Sequence, residues 1–230
     1  MSIIHRTTLK PTKPELLTPW LPTRPWYRGG GAPQLAKAGG FRLDDPRGEV
    51  GIEFFVATDA QSPTDGQDAT DAQGPADAQG PHAYLFPLTY RGAELPGADH
   101  ALVGTLEHGV LGRRWVYDGV HDPVLTSTLT AFLAGRVEAQ AQSTNDTVDE
   151  EIAHACTAEA PLLTGAVTVT DTPDGTTLTT PDGPAVHFHR LLTTAPTTPP
   201  PHALGHITGA WTDLTGHRVR GVFAVIEQRD

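Results

Sequence analysis

The chain has 230 residues, of which 38% are hydrophobic, enough for a core in one large domain or two small ones. Sixteen basic against twenty-seven acidic residues give a net charge of -11, which repels phosphate backbones and anionic lipid surfaces and excludes nucleic acid as a natural partner. The single cysteine, Cys156, cannot form an internal disulfide. No lysine-headed apolar run precedes His5 and Arg6, and no uncharged apolar stretch approaches the ~20 residues of a membrane span, so a soluble cytoplasmic protein is expected.

Thr12-Lys13-Pro14-Glu15 has the spacing of a capping box, which starts a short helix. Pro19 and Pro22 keep it short, so Trp20, Leu21, Trp26 and Tyr27 come from a bent, proline-stiffened segment that clamps a core edge. Next come two strand-like runs, Glu49 to Thr58 (EVGIEFFVAT) and Tyr84 to Tyr90 (YLFPLTY), rich in β-branched and aromatic residues. They are expected to pair as a hairpin, with Pro87 on an edge or at a bulge.

Between them, Asp59, Asp65, Asp71 and Asp77 open a degenerate hexapeptide array. It lacks the inward aliphatic residue of a β-helix and the dense oxygen pattern of a calcium loop, so 58–83 reads as a disordered insertion in the hairpin loop.

Asp122-Pro123 is an N-cap followed by proline at the first helical position. The helix it opens carries Leu125, Leu129, Phe132 and Leu133 as one apolar stripe and ends near Gly135. Residues 136–162 are polar and acidic and read as a linker, with a second capping box, Thr147-Val148-Asp149-Glu150, that starts a short helix holding Cys156. From residue 163 to 230 four or five antiparallel strands are expected, turning at Asp174-Gly175, Asp182-Gly183 and Thr215-Gly216. GVFAVIE, Gly221 to Glu227, reads as a central strand and Thr193 to Pro201 as a stiff loop.

No complete catalytic set emerges. All three lysines, Lys10, Lys13 and Lys37, fall in the first forty positions, and Gly29-Gly30-Gly31 lacks the spacing of a phosphate loop. His121-Asp122 resembles part of a kinase HxD loop, yet helix capping is role enough for Asp122. Glu53 and Glu107 are a conceivable glycosidase pair, but alternation places both on solvated strand faces. A typical (β/α)₈ barrel of ~250 residues would not fit. His187 and His189 share a strand face, and His202, His206 or His217 would supply a third metal ligand. The plainer reading is a polar face, with Val186 and Phe188 on the buried side. None of the four serines lies in GxSxG, the nucleophile-elbow pattern.

Trp20-Leu21-Pro22, Trp26-Tyr27 and Gly29, then YLFPLTYR (Tyr84 to Arg91), then WVYDGVHDP (Trp115 to Pro123), resemble in order and spacing the N-terminal cap of actinobacterial maltokinases. The resemblance covers Leu16 to Gly135. It implies an α+β fold, with curved antiparallel sheets, one or two packed helices and a cystatin-like cap in the N-terminal half. The expected organisation is a cap-like domain at 1–135, the acidic linker at 136–162 and a β-rich subdomain at 163–230.

The downstream phosphate loop and catalytic aspartates of a maltokinase have no counterparts. The resemblance therefore implies a stand-alone, non-catalytic module without cofactor, a protein partner of a kinase or of an enzyme of trehalose, maltose or α-glucan metabolism. The residues taken for a ligand or partner surface are Trp20, Pro22, Trp26, Tyr27, Tyr84, Pro87, Arg113, Arg114, Trp115, Tyr117, Asp118, His121 and Asp122. Two other readings stand beside this one. Trp20, Trp26, Tyr27, Trp115 and Tyr117 could stack on sugars, although such rings are more often core. His108, His121, Arg113 and Arg114 could form an unrecognised enzyme site, with the two arginines holding an anion.

Overall fold

The computed structural model describes residues 9–61, 82–142, 147–157, 162–194 and 198–229. Helix α1 (Lys13–Trp20) begins at the expected capping box, whose two arms are both present: Thr12 accepts from the Glu15 N–H, and the Glu15 carboxylate accepts from the Thr12 N–H at 2.7 Å. Pro19 lies in its last turn and a 3₁₀ turn, Leu21–Thr23, follows, since proline cannot donate into a continuing helix.

Helix α2 (Pro123–Leu133) is capped by Asp122, whose Oδ1 accepts from the Val124 N–H at 2.9 Å. It ends in a Schellman arrangement: Gly135, at φ 69°, donates to Phe132 O at 2.8 Å and Arg136 to Ala131 O at 2.9 Å. The left-handed φ is why glycine stands there. Leu125, Leu129, Phe132 and Leu133 are all buried, as their spacing requires.

The strands are β1 (Leu9–Lys10), β2 (Leu35–Asp44), β3 (Gly51–Asp59), β4 (His82–Arg91), β5 (Leu102–His108), β6 (Gly112–Asp118), β7 (Gln140–Ala141), β8 (Ala153–Cys156), β9 (Thr168–Thr172), β10 (Gly175–Thr179), β11 (Ala185–Phe188), β12 (Leu191–Leu192), β13 (Gly205–Thr212) and β14 (Arg218–Glu227). They form one 14-stranded sheet in the order β1-β5-β6-β4-β3-β2-β13-β14-β11-β10-β9, with β12 on β4, β7 on β2 and β8 on β13. With two short helices, this is the expected α+β class.

The sheet curls back on itself through one bent strand. β11 pairs with β14, and the His189 N–H still reaches Phe223 O at 3.0 Å. One residue later Arg190 O accepts from the Leu85 N–H at 2.9 Å, and β12 pairs with β4. The circuit β4-β3-β2-β13-β14-β11/β12 is thus closed by hydrogen bonds. Its β2–β13 joint is the single pair Gly39↔Trp211, where a Cβ on Gly39 would stand 3.1 Å from Ala210 O, so glycine eases the close approach.

The hairpin of β3 and β4 is paired from Gly51↔Tyr90 to Asp59↔His82. Ile52, Phe54 and Val56 face the larger core with Phe41, Phe132 and Phe188. Phe55 and Ala57 face a second core with Leu17, Trp20, Trp26, Tyr84 and Phe86. Cover on both faces explains why EVGIEFFVAT is almost continuously apolar.

Four expectations change. Pro87 lies in an interior strand, opposite Phe54. The side of β4 away from β3 is paired from Leu88 onward by β6 and at Ala83 and Tyr84 by β12, so the proline falls in the gap between two short partners, where no N–H is required. The segment 58–83, expected to be disordered throughout, is strand at both ends, where Thr58 and Asp59 belong to β3 and His82 and Ala83 to β4; the array at 62–81 lies outside the described residues. Within 136–162 the described residues hold β7, β8 and a Gln140↔Val148 bridge in place of a helix, and Cys156 is on β8. The described residues of 163–230 hold six strands, β9 to β14, with the three expected turns in place and β14 central between β13 and β11.

Candidate functional site

Of the family-like residues, Trp20, Trp26, Tyr27 and Tyr84 converge on the face of β3 and β4 that α1 covers. Trp26 is fully buried, with ring centroids 5.9 Å from Trp20, 6.0 Å from Tyr84 and 6.0 Å from Phe86. Tyr84 is buried too and its hydroxyl accepts the Arg28 N–H at 3.1 Å; burial raises its pKa well above the ordinary phenol value. Tyr27 is half-buried, its hydroxyl between Gly31 O at 3.0 Å and Asp59 Oδ2 at 3.3 Å. Burial first, then the Asp59 charge, pushes its pKa up to about 12. Pro22 is exposed in the turn. Tyr117 is buried and accepts from the Leu95 N–H at 2.9 Å, while Trp115 is half-buried beside it with Ala98 and Ala101. Most of these rings are scaffold and present little face to a sugar.

The acidic end of the motif is also internal. Asp118 (2% exposed) is paired with Arg190 (0% exposed), whose Nη2 lies 2.8 and 2.7 Å from the two carboxylate oxygens. Arg190 Nε donates to Thr176 Oγ1 at 2.7 Å, and its guanidinium lies over the Trp26 ring at 5.2 Å. Thr176 in turn donates to Asp171. Asp171 is 4.0 Å from Arg24, which stacks on Trp20 at 4.8 Å, and Arg28 donates to Pro173 O at 2.8 Å. One arginine from the C-terminal half thus joins β6, β10, β4 and the tryptophan layer. Sequence reasoning missed it, although Arg190 follows Val186 and Phe188 at the strand period that marks the buried side.

Asp122 is fully buried, and beyond capping α2 it receives a forked pair from Arg91 at 2.6 and 2.7 Å, so both oxygens are engaged. His121, half-buried, has Nδ1 3.3 Å from His100 Nε2; burial lowers its pKa, and the Asp118 charge opposes that. Arg113 and Glu107 form an exposed pair at 3.2 Å, Arg114 donates to Arg113 O at 3.3 Å, and His108 Nδ1 accepts from the Val110 and Leu111 N–H groups. The hairpin turn engages His108, and His100 engages His121.

Glu53 corrects the reading of a solvated face. It is 5% exposed and receives Lys13 Nζ at 2.6 Å, the Tyr90 hydroxyl at 2.8 Å and Gln142 Nε2 at 2.9 Å. Burial pushes its carboxyl up, but Lys13, Tyr90 and the charge of Lys37 outweigh it and the net shift is downward. The reading failed because α1 covers a face that alternation alone left to solvent. Glu107 is exposed as expected.

His187 and His189 are 5.1 Å apart by ring centroid, over buried Val186 and Phe188. His187 Nδ1 is 2.9 Å from Thr177 Oγ1, and burial, then the neighbouring imidazole, lowers His189 to about 4. His202 sits against Glu227 and His217 against Thr215. Among the described residues no group of three His, Cys, Asp or Glu side chains is placed to hold a metal ion.

Residues 20–122 match the family model of the maltokinase N-terminal cap domain. The chain therefore carries a maltokinase N-terminal cap-like segment, and it runs from the first motif tryptophan to the Asp122 cap. No curated protein matches the chain. No helix among the described residues is long and apolar enough to cross a membrane.

Proposed function

We propose that this chain is a non-catalytic cap-type module, an accessory or regulatory partner of a kinase or of an enzyme of trehalose, maltose or α-glucan metabolism. The observation that supports this reading is the match of 20–122 to a domain that caps a kinase, in a chain whose matching aromatic and acidic side chains are spent on internal packing and ion pairs. A module with its motif turned inward acts through its outer surface. Resemblance of the cap to a cystatin-like fold, with α1 against a curved sheet, and residence in the cytoplasm belong to the same reading.

The test is a binding and rate measurement with purified maltokinase and with α-glucan enzymes from the same cell. A direct complex that changes the enzyme's rate is expected; no complex and no rate change with any of them refutes the reading. Calorimetry with maltose, trehalose and glycogen addresses the alternative of carbohydrate binding, and the burial of Trp20, Trp26, Tyr84 and Tyr117 leads us to expect no heat of binding.

A further inference from the structure

Among the described residues the large hydrophobics exposed to solvent are Val110 (60%), Leu111 (46%), Val148 (46%) and Leu214 (41%). They fall into two pairs in opposite electrostatic settings. Val110 and Leu111 form the tip of the β5–β6 hairpin, where Arg113 and Arg114 stand against one carboxylate, Glu107. This is a basic island on a chain of net charge -11. Val148 precedes Asp149, Glu150 and Glu151, and Leu214 lies in the β13–β14 turn beside Asp213. Arg218, at the start of β14, binds Glu151 with Nε at 3.0 Å from Oε1, which ties these two loops together; Arg220 also acts on Glu151, and the four carboxylates of Asp149, Glu150, Glu151 and Asp213 outnumber the two arginines, so this second patch is acidic.

We propose that these two surfaces are complementary, and that the hairpin tip of one copy of the chain docks on the Val148/Leu214 patch of another. Apolar residues meet at the centre, and arginines meet carboxylates at the rim, the arrangement of a specific interface. The two patches differ, so the contact is head-to-tail and leaves a free patch at each end. Such a contact builds a ring or an open chain of copies. A contact the size of a hairpin tip falls below the ~1,200 Å² of standard interfaces and is weak. The exposed charges make it sensitive to salt.

The test is sedimentation of the full chain over a range of concentrations, in low and in high salt. The expected result is an average mass rising above the 24.5 kDa of one chain with concentration in low salt, and returning toward it in high salt. Val110→Ser with Leu111→Ser, Arg113→Glu with Arg114→Glu, and Asp149→Asn with Glu150→Lys are each expected to stay monomeric. Asn at 149 keeps the acceptor that holds the Glu151 N–H at 3.0 Å, and unchanged circular dichroism shows that each variant is folded. Mixing the two charge variants places an acidic tip opposite a basic patch and a basic tip opposite an acidic one, so association returns in the mixture. A wild-type chain that is monomeric throughout, or charge variants that associate like the wild type alone, or a mixture that stays monomeric, overturns the proposal.

Discussion

Arg190 shows most sharply how much one side chain can organise. A fully buried guanidinium needs its charge matched, and here Asp118 takes Nη2, Thr176 takes Nε and the Trp26 ring lies under the plane, while Nη1 has no hydrogen-bond partner among the described residues. Removing one partner leaves a buried charge. Arg190→Ala or Asp118→Asn is therefore expected to cost about 3–5 kcal/mol in denaturant unfolding. Replacing both partners together with apolar residues of similar volume should recover part of the loss. A loss below about 1 kcal/mol for either single variant would show that the pair is not buried in solution. Arg190 and Glu53 were the hardest residues to read from the sequence. Charged residues default to the solvated side of a strand, and only knowledge of what lies over that strand reverses the assignment. For Glu53 that cover is α1 with Lys13, forty residues away in sequence.

Element boundaries set by local chemistry were legible. The Thr12 box, the Asp122 cap, the Gly135 stop and the three Gly-containing turns each depend on a few consecutive residues, and each stands where the sequence put it. Strands β7, β8 and β12, of two to four residues, were not legible, because their partners lie far away in sequence and nothing in so short a run demands a strand. The same contrast separates two caps. Thr12→Ala removes two exposed side-chain bonds to Glu15 and is expected to cost about 1 kcal/mol. Asp122→Ala also strands Arg91 and is expected to cost several times more, of order 3–5 kcal/mol. Thermal unfolding of both variants checks this, and equal losses would deny the buried Arg91 pair its role.

At the scale of the molecule, burial has turned several histidines against protonation. His189 moves from the ordinary 6.5 to about 4, and His82, His121, His154 and His187 move in the same direction. Above the ordinary value both folded and unfolded chains are neutral there, and nothing is at stake. As pH falls through the window between the two values, the unfolded chain takes up protons that the folded one refuses, so stability is lost on acidification. Between about pH 7 and about pH 5, His189 alone should account for roughly 1–2 kcal/mol, allowing for its partial exposure. Glu53, whose pKa is lowered, adds a further loss once pH falls below the ordinary carboxylate range. Urea midpoints that are flat or rising across that interval would contradict this.

The sequence suggested a break after Gly135, because composition changes there. The sheet instead runs across that point, through Gly39 against Trp211 and through Arg190 between β4 and β14. The cap motif is internal scaffold completed by the C-terminal half, through Arg190 on Asp118 and β12 on β4. Native-state hydrogen exchange, read separately on β3–β4 and on β13–β14, tests it most directly. The slowest amides of both segments should open with the same free energy, and Arg190→Ala should lower both by the same amount. Earlier opening of β13–β14, with β3–β4 unchanged by that substitution, would contradict the claim.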